Sequence, residues 1–416
     1  MTSSTRTLAP RIALAVALAA CALPPPLPPA ADLSLPPIAR ELDYLERALQ
    51  SQHPDPFRHR GEQAFRAALA GAALQMSEED AQGWHLQIRR LVAMIGDAHT
   101  RVEGLGPLET SVAPFLLRPF ADGWWIIGAL PGFEGLVGNR VERFEGRPMH
   151  EVLAALRPYA SFDNEAALAQ AAPGFLRRPA FLHAIGVADD DANLDLELVN
   201  LDGVQRAARV PSVAHDGAYL VFRIRPEDPD PWMSRRQERI YWLDFLGNGD
   251  LYIRYRACHE DPAQRLADFA QEAAAALRDR APRRAIIDLR ENGGGDSRIF
   301  EPVISLFERG GPGADADLWV LTDSATFSSG MLNAWQLRTR AGARLAGEPS
   351  AQRPNCFGDI RSFDLPVSGL KISCSTKTFR LMPGDPEQMP VDLEVPMAGE
   401  DWFRGRDPVL ARLLAE

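Results

Sequence analysis

The feature that most constrains this chain is an alternation beginning near residue 238. Two apolar runs, Ile240-Tyr241-Trp242-Leu243 and Leu251-Tyr252-Ile253, flank the turn Gly247-Asn248-Gly249-Asp250. A helical pattern over 262–277 precedes the apolar strand Ala285-Ile286-Ile287-Asp288-Leu289. A second apolar strand, Leu318-Trp319-Val320-Leu321, leads through a turn into a helix predicted over 331–338. Strands alternating with helices argue for an α/β domain. A hairpin centred near Val367-Ser368-Gly369 follows.

The preceding sequence has a different character. Residues 1–31 read as an export signal: Arg6 and Arg11 lie around the start of an apolar stretch over 12–23, and no acid occurs before Asp32. The prolines between 24 and 29 would end any helix there. Leu18-Ala19-Ala20-Cys21 resembles a lipobox, which would put lipid on Cys21 and tether the chain to a membrane. Pro29-Ala30-Ala31 offers a plain cleavage site instead. Either route places the expected product outside the cytoplasm, periplasmic or lipid-anchored to the cell envelope. Without Cys21 three cysteines remain, so at most one intramolecular disulfide can form, and Cys356 with Cys374 is the only pair close in sequence.

Residues 32–107 form a helical region by spacing: Ile38, Leu42, Leu45 and Leu49 recur at three to four residues, as do Trp84, Ile88, Leu91 and Ile95. Residues 108–212 read as a small mixed β module. Its strands are signalled by Trp124-Trp125-Ile126-Ile127, by residues 137–144 and by the alternation Leu194-Asp195-Leu196-Glu197-Leu198-Val199, with a helix over 149–156. Pro226, Pro229 and Pro231 mark a linker within the start of the last region, 213–416.

Composition narrows the function classes. Hydrophobic residues make up 46% and charged residues 24% of 416, near globular averages, so a sizeable core is expected. A net charge of −11 without a basic run disfavours nucleic acid and anionic lipid surfaces as partners. Beyond the N-terminus no apolar run reaches the length of a membrane span.

Three segments carry chemistry. Asp323-Ser324-Ala325-Thr326-Phe327-Ser328-Ser329-Gly330 places Ser328 or Ser329 at a helix N-terminus, where free N–H groups favour developing negative charge. An ordinary serine cap would look the same. Glu291-Asn292-Gly293-Gly294-Gly295-Asp296 follows a buried strand, and its glycines free backbone N–H groups for close approach to a ligand. No Gly-Lys-Ser/Thr follows, which argues against a phosphate cradle. An oxyanion hole needs a nearby nucleophile and two backbone donors. Ile95-Gly96-Asp97-Ala98-His99-Thr100-Arg101 supplies His99, one of eight histidines. No HExxH and no cysteine pair at metal spacing occurs, so neither a metal nor another cofactor is expected. No histidine follows Ser328, which excludes the nucleophile–acid–histidine order of α/β-hydrolases; a histidine-first order remains.

Together and in this order, the three segments resemble the tail-specific, or C-terminal-processing, serine proteases, a family that includes the tricorn protease. The resemblance spans roughly residues 38–397. It implies a crotonase-like α/β catalytic domain over 213–416, a PDZ-like module over 108–212 that binds peptide C-termini, and polypeptide substrates. Leu136-Val137-Gly138 and Gly146 fit the PDZ pattern loosely. The family nucleophile matches Ser328; Ser329 and Gly294 would donate the oxyanion-hole N–H groups. One branch uses a Ser/Lys dyad, but the matching position, 25 residues after Ser328, holds Arg353, which stays protonated and cannot act as a base. Lys371 and Lys377 do not match. His99 resembles the histidine of the tricorn-like branch and has a suitable pKa for a general base. Asp97, Asp385, Glu387 and Asp392 are candidates to orient it; the resemblance favours a late acid, Glu387. Asp97 and Arg101 would otherwise form a structural pair.

Two other readings compete with an exported serine endopeptidase. Met331, where many relatives carry an acid, and Arg353 would suit a catalytically inactive peptide- or hydrophobic-ligand-binding protein. An esterase or thioesterase using the same pair of residues is the third.

Overall fold

The structure is a computed structural model in which residues 30–214 and 232–415 are described. Residues 1–29 of the signal, Cys21 among them, and the prolines at 226, 229 and 231 lie outside that range.

Three helices come first: α1 (Pro37–Gln52), α2 (Glu62–Gln75) and α3 (Ala81–Ala93). Asp80 caps α3, its carboxylate accepting from Gly83 N at 2.9 Å. Their apolar faces do not close on each other alone. Leu45, Phe65, Ile88 and Leu91 share a core with Phe363, Leu365 and Ile372, which lie more than 250 residues later. Burying each such side chain contributes about 1.5–3 kcal/mol, so this helical region and the late hairpin stabilise one another. After α3 a turn over 95–100 leads into β1 (Arg101–Val102).

The middle region opens with β2 (Ser111–Val112). It continues with β3 (Phe115–Phe120), β4 (Gly123–Ala129), β5 (Asn139–Phe144), α4 (Met149–Leu156), α5 (Glu165–Leu176), α6 (Pro179–Ala184), β6 (Asn193–Asn200) and β7 (Gln205–Pro211). A short β8 (Val213–Ala214) returns to pair with β2. Strands β3 to β7 form an antiparallel sheet in sequential order. Leu194, Leu196 and Leu198 face its core while Asp195 and Glu197 face water, the alternation read in the sequence. The strand expected from residue 137 begins only at Asn139, because the Asn139 amide donates back to Leu136 O at 2.9 Å and holds the preceding turn. Helices α5 and α6 were not anticipated.

The last region contains β9 (Tyr241–Phe245), β10 (Leu251–Tyr255), α7 (Leu266–Arg280), β11 (Arg284–Asp288), α8 (Glu301–Phe307), β12 (Asp317–Thr322), α9 (Ser329–Ala341) and β13 (Arg344–Gly347). The long hairpin β14 (Asn355–Asp364) and β15 (Lys371–Arg380) follows, then β16 (Leu393–Glu394), α10 (Gly399–Phe403) and α11 (Pro408–Leu414). Six strands form one sheet, ordered β16-β13-β12-β11-β10-β9, parallel except for β9. Ile253, Ile287, Val320 and Leu345 pack against Phe269, Ile304 and Leu337 on one face. Tyr252, Ile286, Trp319 and Leu321 pack against Val409, Leu410 and Leu413 on the other. Both faces are covered, which is why these strands read as unbroken apolar runs. The helix expected from 262 starts at Leu266, since Asp261 and Glu260 take the N–H groups of Ala263 and Leu266.

The hairpin pairs antiparallel with β1, matching Val102 to Ile372. This pairing carries the turn over 95–100 to the parallel sheet. Cys356 and Cys374, the one pair close in sequence, form no disulfide. Cys356 lies opposite Phe379 and Cys374 opposite Arg361, and both thiols are free and buried. Among the described residues no helix is long and apolar enough to cross a membrane.

Candidate active site

The serine turn is built where β12 ends. Asp323 Oδ1 accepts from Ala325 N at 3.1 Å and from Glu291 N at 2.9 Å. Thr326 Oγ1 donates to Leu289 O at 3.0 Å, and Phe327 N donates to Asn292 O at 2.9 Å. The loops after β11 and β12 are thus stitched together. Ser328 follows with φ +52° and ψ −124°, and α9 begins at the next residue. A side-chain-bearing residue adopts such a φ only where its surroundings impose it, and strain of this kind concentrates at functional sites.

Two glycines of the triplet, Gly294 and Gly295, are required by close approach. A Cβ on Gly294 (φ +103°) would sit 2.7 Å from Ser328 Cβ and 2.9 Å from Ser329 N. One on Gly295 would sit 2.3 Å from Cys258 O. The loop is anchored from behind, with Cys258 N donating to Gly294 O at 2.9 Å and Asp296 N to Cys258 O at 2.8 Å.

His99 arrives on the turn after α3. Its Nε2 lies 3.0 Å from Ser328 Oγ, bringing together two residues 229 positions apart. The imidazole is 4% exposed and stacks on Phe327 with ring centroids 4.7 Å apart. For Nε2 to accept the serine proton, Nδ1 must carry the ring hydrogen. Facing that side are the Phe357 carbonyl and Asp97 Oδ1, at 3.8 Å. Burial lowers the His99 pKa from its ordinary value, outweighing the upward pull of the Asp97 charge. The ring is therefore neutral at pH 7, as a general base requires.

Of the four candidate acids only Asp97 meets His99. Its buried carboxylate accepts from His99 N at 3.1 Å, Thr100 Oγ1 at 2.5 Å and Ser375 Oγ at 2.6 Å, with His53 Nε2 at 3.3 Å. Asp55 N donates to His53 Nδ1 at 3.1 Å, which leaves Nε2 of a neutral His53 as the donor to Asp97. Burial opposes the Asp97 charge, but the His53 hydrogen bond, the neighbouring His99 and His53 rings and the Ser375 hydroxyl hold its carboxyl below the usual range. Glu387, expected to orient His99, is instead largely exposed and paired with Arg353. Asp385 pairs with Arg58 at 2.9 Å and Asp392 with Arg338 at 2.7 Å. Nor do Asp97 and Arg101 pair: Arg101 reaches Glu103 at 3.2 Å. Lys377 pairs with Asp359 at 2.8 Å.

The oxyanion side differs in one donor from the expectation. Ser329 is the first residue of α9, so its N–H has no acceptor within the helix. Its hydroxyl donates to Gly295 O at 2.6 Å. The Gly294 N–H, however, donates to Asn292 Oδ1 at 2.9 Å. Gln352 was not anticipated at all. Its Oε1 accepts from Ser328 N at 2.7 Å and its Nε2 lies 3.4 Å from His99 Nδ1, so one amide touches both residues of the pair. Asn292 stands inside the Glu291–Asp296 glycine segment; no sequence pattern pointed to His53 or Gln352.

Two arginine clusters brace the site. Arg290 is bidentate to Asp407 at 2.9 and 2.8 Å and pairs with Asp288, which also faces Arg254. Arg118 of β3 pairs with Glu291 and, at 3.4 Å, with Asp323, linking the middle sheet to both site loops. Among the described residues no His/Cys/Asp/Glu group is arranged to hold a metal ion.

No protein-family model matches the chain, and no curated protein matches it. Solved structures do. Mature CPAF superposes with a TM-score of 0.64 at 13% identity, covering 91% of this chain and 96% of its own. Mature CPAF complexed with lactacystin gives 0.64 at 14% identity, covering 91% and 97%. The photosystem II D1 C-terminal processing protease gives 0.45 at 12% identity, covering 86% and 92%. At these identities the likeness to CPAF is one of fold. This chain shares the CPAF fold over nearly its whole length.

Proposed function

We propose that this chain is an exported serine endopeptidase of the tail-specific protease type. The observation that carries the reading is the 3.0 Å contact from His99 Nε2 to the hydroxyl of Ser328, a strained residue at a helix N-terminus. Ser328 Oγ attacks a peptide carbonyl while His99 takes its proton, then returns it to the leaving amine. Ser329 N–H and an N–H of the glycine triplet hold the tetrahedral oxyanion. Gly294 serves there only on releasing Asn292. Water then hydrolyses the acyl-enzyme. Asp97, not Glu387, balances the charge that develops on His99. The substrate is a polypeptide, and the middle sheet works as a PDZ-like module beside a crotonase-like catalytic domain. The processed chain works in the periplasm or tethered through Cys21, without a cofactor.

Met331 does not favour the inactive alternative, since its side chain is fully buried in the core beneath α9.

A fluorophosphonate probe on the purified protein lacking residues 1–31 tests the reading. Labelling is expected for the wild type and for Ser329→Ala, which keeps its backbone N–H, and not for Ser328→Ala. His99→Ala should slow it at least a hundredfold. A folded wild type that does not label would sink the proposal.

A further inference from the structure

A second acid lies on the His99 turn, and nothing in the mechanism above uses it. Asp163 sits between α4 and α5, in the middle region. Its Oδ1 accepts from Ala98 N at 2.8 Å, beside the His99 N–H that Asp97 takes. Its backbone carbonyl accepts from Arg353 Nε at 2.9 Å, next to Gln352. The following residue, Asn164, caps α5 and donates to Glu387 O at 2.9 Å. Residues 163–164 are thus where the middle region grips the His99 turn, the Gln352 segment and the segment around 387.

The two oxygens of Asp163 differ. The residue as a whole is only partly buried, yet Oδ2 is sealed from solvent and has no hydrogen-bond partner. An ionised carboxylate with a dry, unpaired oxygen is far costlier than an unpaired neutral hydroxyl. The Asp97 carboxyl, itself held below the usual range, acts on Asp163, and a like charge beside a buried carboxyl disfavours its ionisation. The charged or titratable groups facing Asp163 are Asp97 on the turn after α3, Arg353 on the approach to β14, and Cys356 at the start of β14. Burial first, then the Asp97 charge, pushes the Asp163 carboxyl up to about 8, against the Ala98 N–H and Arg353. Paired carboxyls driven apart in this way mark distinct roles.

We propose that Asp163 is a positioning residue that works as a neutral carboxylic acid, fixing the His99 turn through Ala98 N–H while leaving Asp97 as the one buried anion on that turn. Loss of its proton in mildly alkaline solution adds a second buried anion. Solvating that charge opens the joint between the middle region and the turn, and the serine slows. The activity half of this inference rests on the Ser328–His99 reading; the protonation half does not.

The test compares wild type, Asp163→Asn and Asp163→Ala. Asn keeps an oxygen acceptor for Ala98 N–H and can never ionise; Ala removes the acceptor. Fluorophosphonate labelling rates are measured from pH 5 to 10. At pH 7 the Asn variant should label within about threefold of wild type, and the Ala variant at least tenfold slower or not fold. Above about pH 8 the wild type should fall at least fivefold relative to the Asn variant. Parallel alkaline profiles, or an Asn variant as silent or as unfolded as the Ala variant, would overturn the proposal. Melting temperatures provide a readout that needs no activity. The folded wild type keeps a proton that its unfolded chain releases above about pH 4. The Asn variant should therefore gain on it as pH rises from about 4 to about 8, and hold that gain above. If wild type fails to label at any pH, the peptidase reading falls, and the melting difference still decides Asp163: a gap that opens with pH supports the neutral acid, and a flat one refutes it.

Discussion

Replacing Asp97 by Asn isolates the charge behind His99. The amide retains an acceptor for His99 N but offers an NH2 group to donors that now find a carboxylate. Thr100 and Ser375 can rotate their hydroxyls; His53 cannot adapt, because Asp55 N–H fixes its tautomer. One or two buried donors lose their acceptor at about 1–3 kcal/mol each, so stability should fall by roughly 2–5 kcal/mol. The kinetic effect is separate. A full positive charge on His99, 3.8 Å from Asp97 Oδ1, gains about 4 kcal/mol at an effective dielectric near 20. At about 1.4 kcal/mol per tenfold, and with the charge only partly developed at the barrier, the labelling rate should drop between about 10² and 10³-fold. The pH profile supplies a sign that unfolding cannot mimic. Burial already lowers the His99 pKa, and the Asp97 charge opposes that lowering. The wild-type rate should therefore rise with pH through a midpoint below the ordinary histidine value. In Asp97→Asn that midpoint should move lower still, even as the plateau falls. The assay is the second-order fluorophosphonate rate from pH 4 to 8, with urea denaturation on the same samples. A folded variant labelling within threefold of wild type, or a midpoint that moves up, would refute the assignment of Asp97.

Gly294→Ala should abolish labelling and cost about 1–3 kcal/mol, since its Cβ would lie 2.7 Å from Ser328 Cβ at a φ of +103°; a variant that labels normally would show the loop is not held against the serine. Asp288→Ala leaves Arg254 and Arg290 facing one another in a buried site and should cost about 3–5 kcal/mol by denaturant titration. Burial opposes the Asp288 charge, but Arg290 and Arg254 hold its pKa well below the ordinary value. Its contribution is thus present above about pH 4 and lost as pH falls below that, so the wild-type advantage over the Ala variant should shrink in acid; an advantage unchanged by acid would contradict it.

Much of the six-stranded sheet was legible because its signals are local. The apolar run at 285–289 and the strand observed at Arg284–Asp288 differ by one residue at each end, and the helix read over 149–156 is α4. The turn into Ser328 and the glycine triplet were legible for the same reason. Helix α5 was not, because Pro173 interrupts its pattern while tertiary packing of Ala172 and Leu176 sustains it. The state of the cysteines was not legible, because closeness in sequence does not set register across a hairpin.

What the sequence alone determined is the set of residues proposed to bear the chemistry: a serine at a helix start, a glycine loop after a buried strand, and a histidine without metal-ligand spacing. Only the tertiary structure decided who stands behind them. His53 comes from the end of α1, Gln352 and Phe357 from the approach to β14 and its start, Ser375 from β15, and Asp163 from the middle region. Each is a polar group whose partner lies tens to hundreds of residues away. Polar residues carry no periodicity of their own, so nothing local distinguishes a buried donor from a solvated one. The choice of Asp97 over Glu387 follows from that: Asp97 is sealed among donors, while Glu387 faces water and Arg353, a difference of burial that only the folded chain creates.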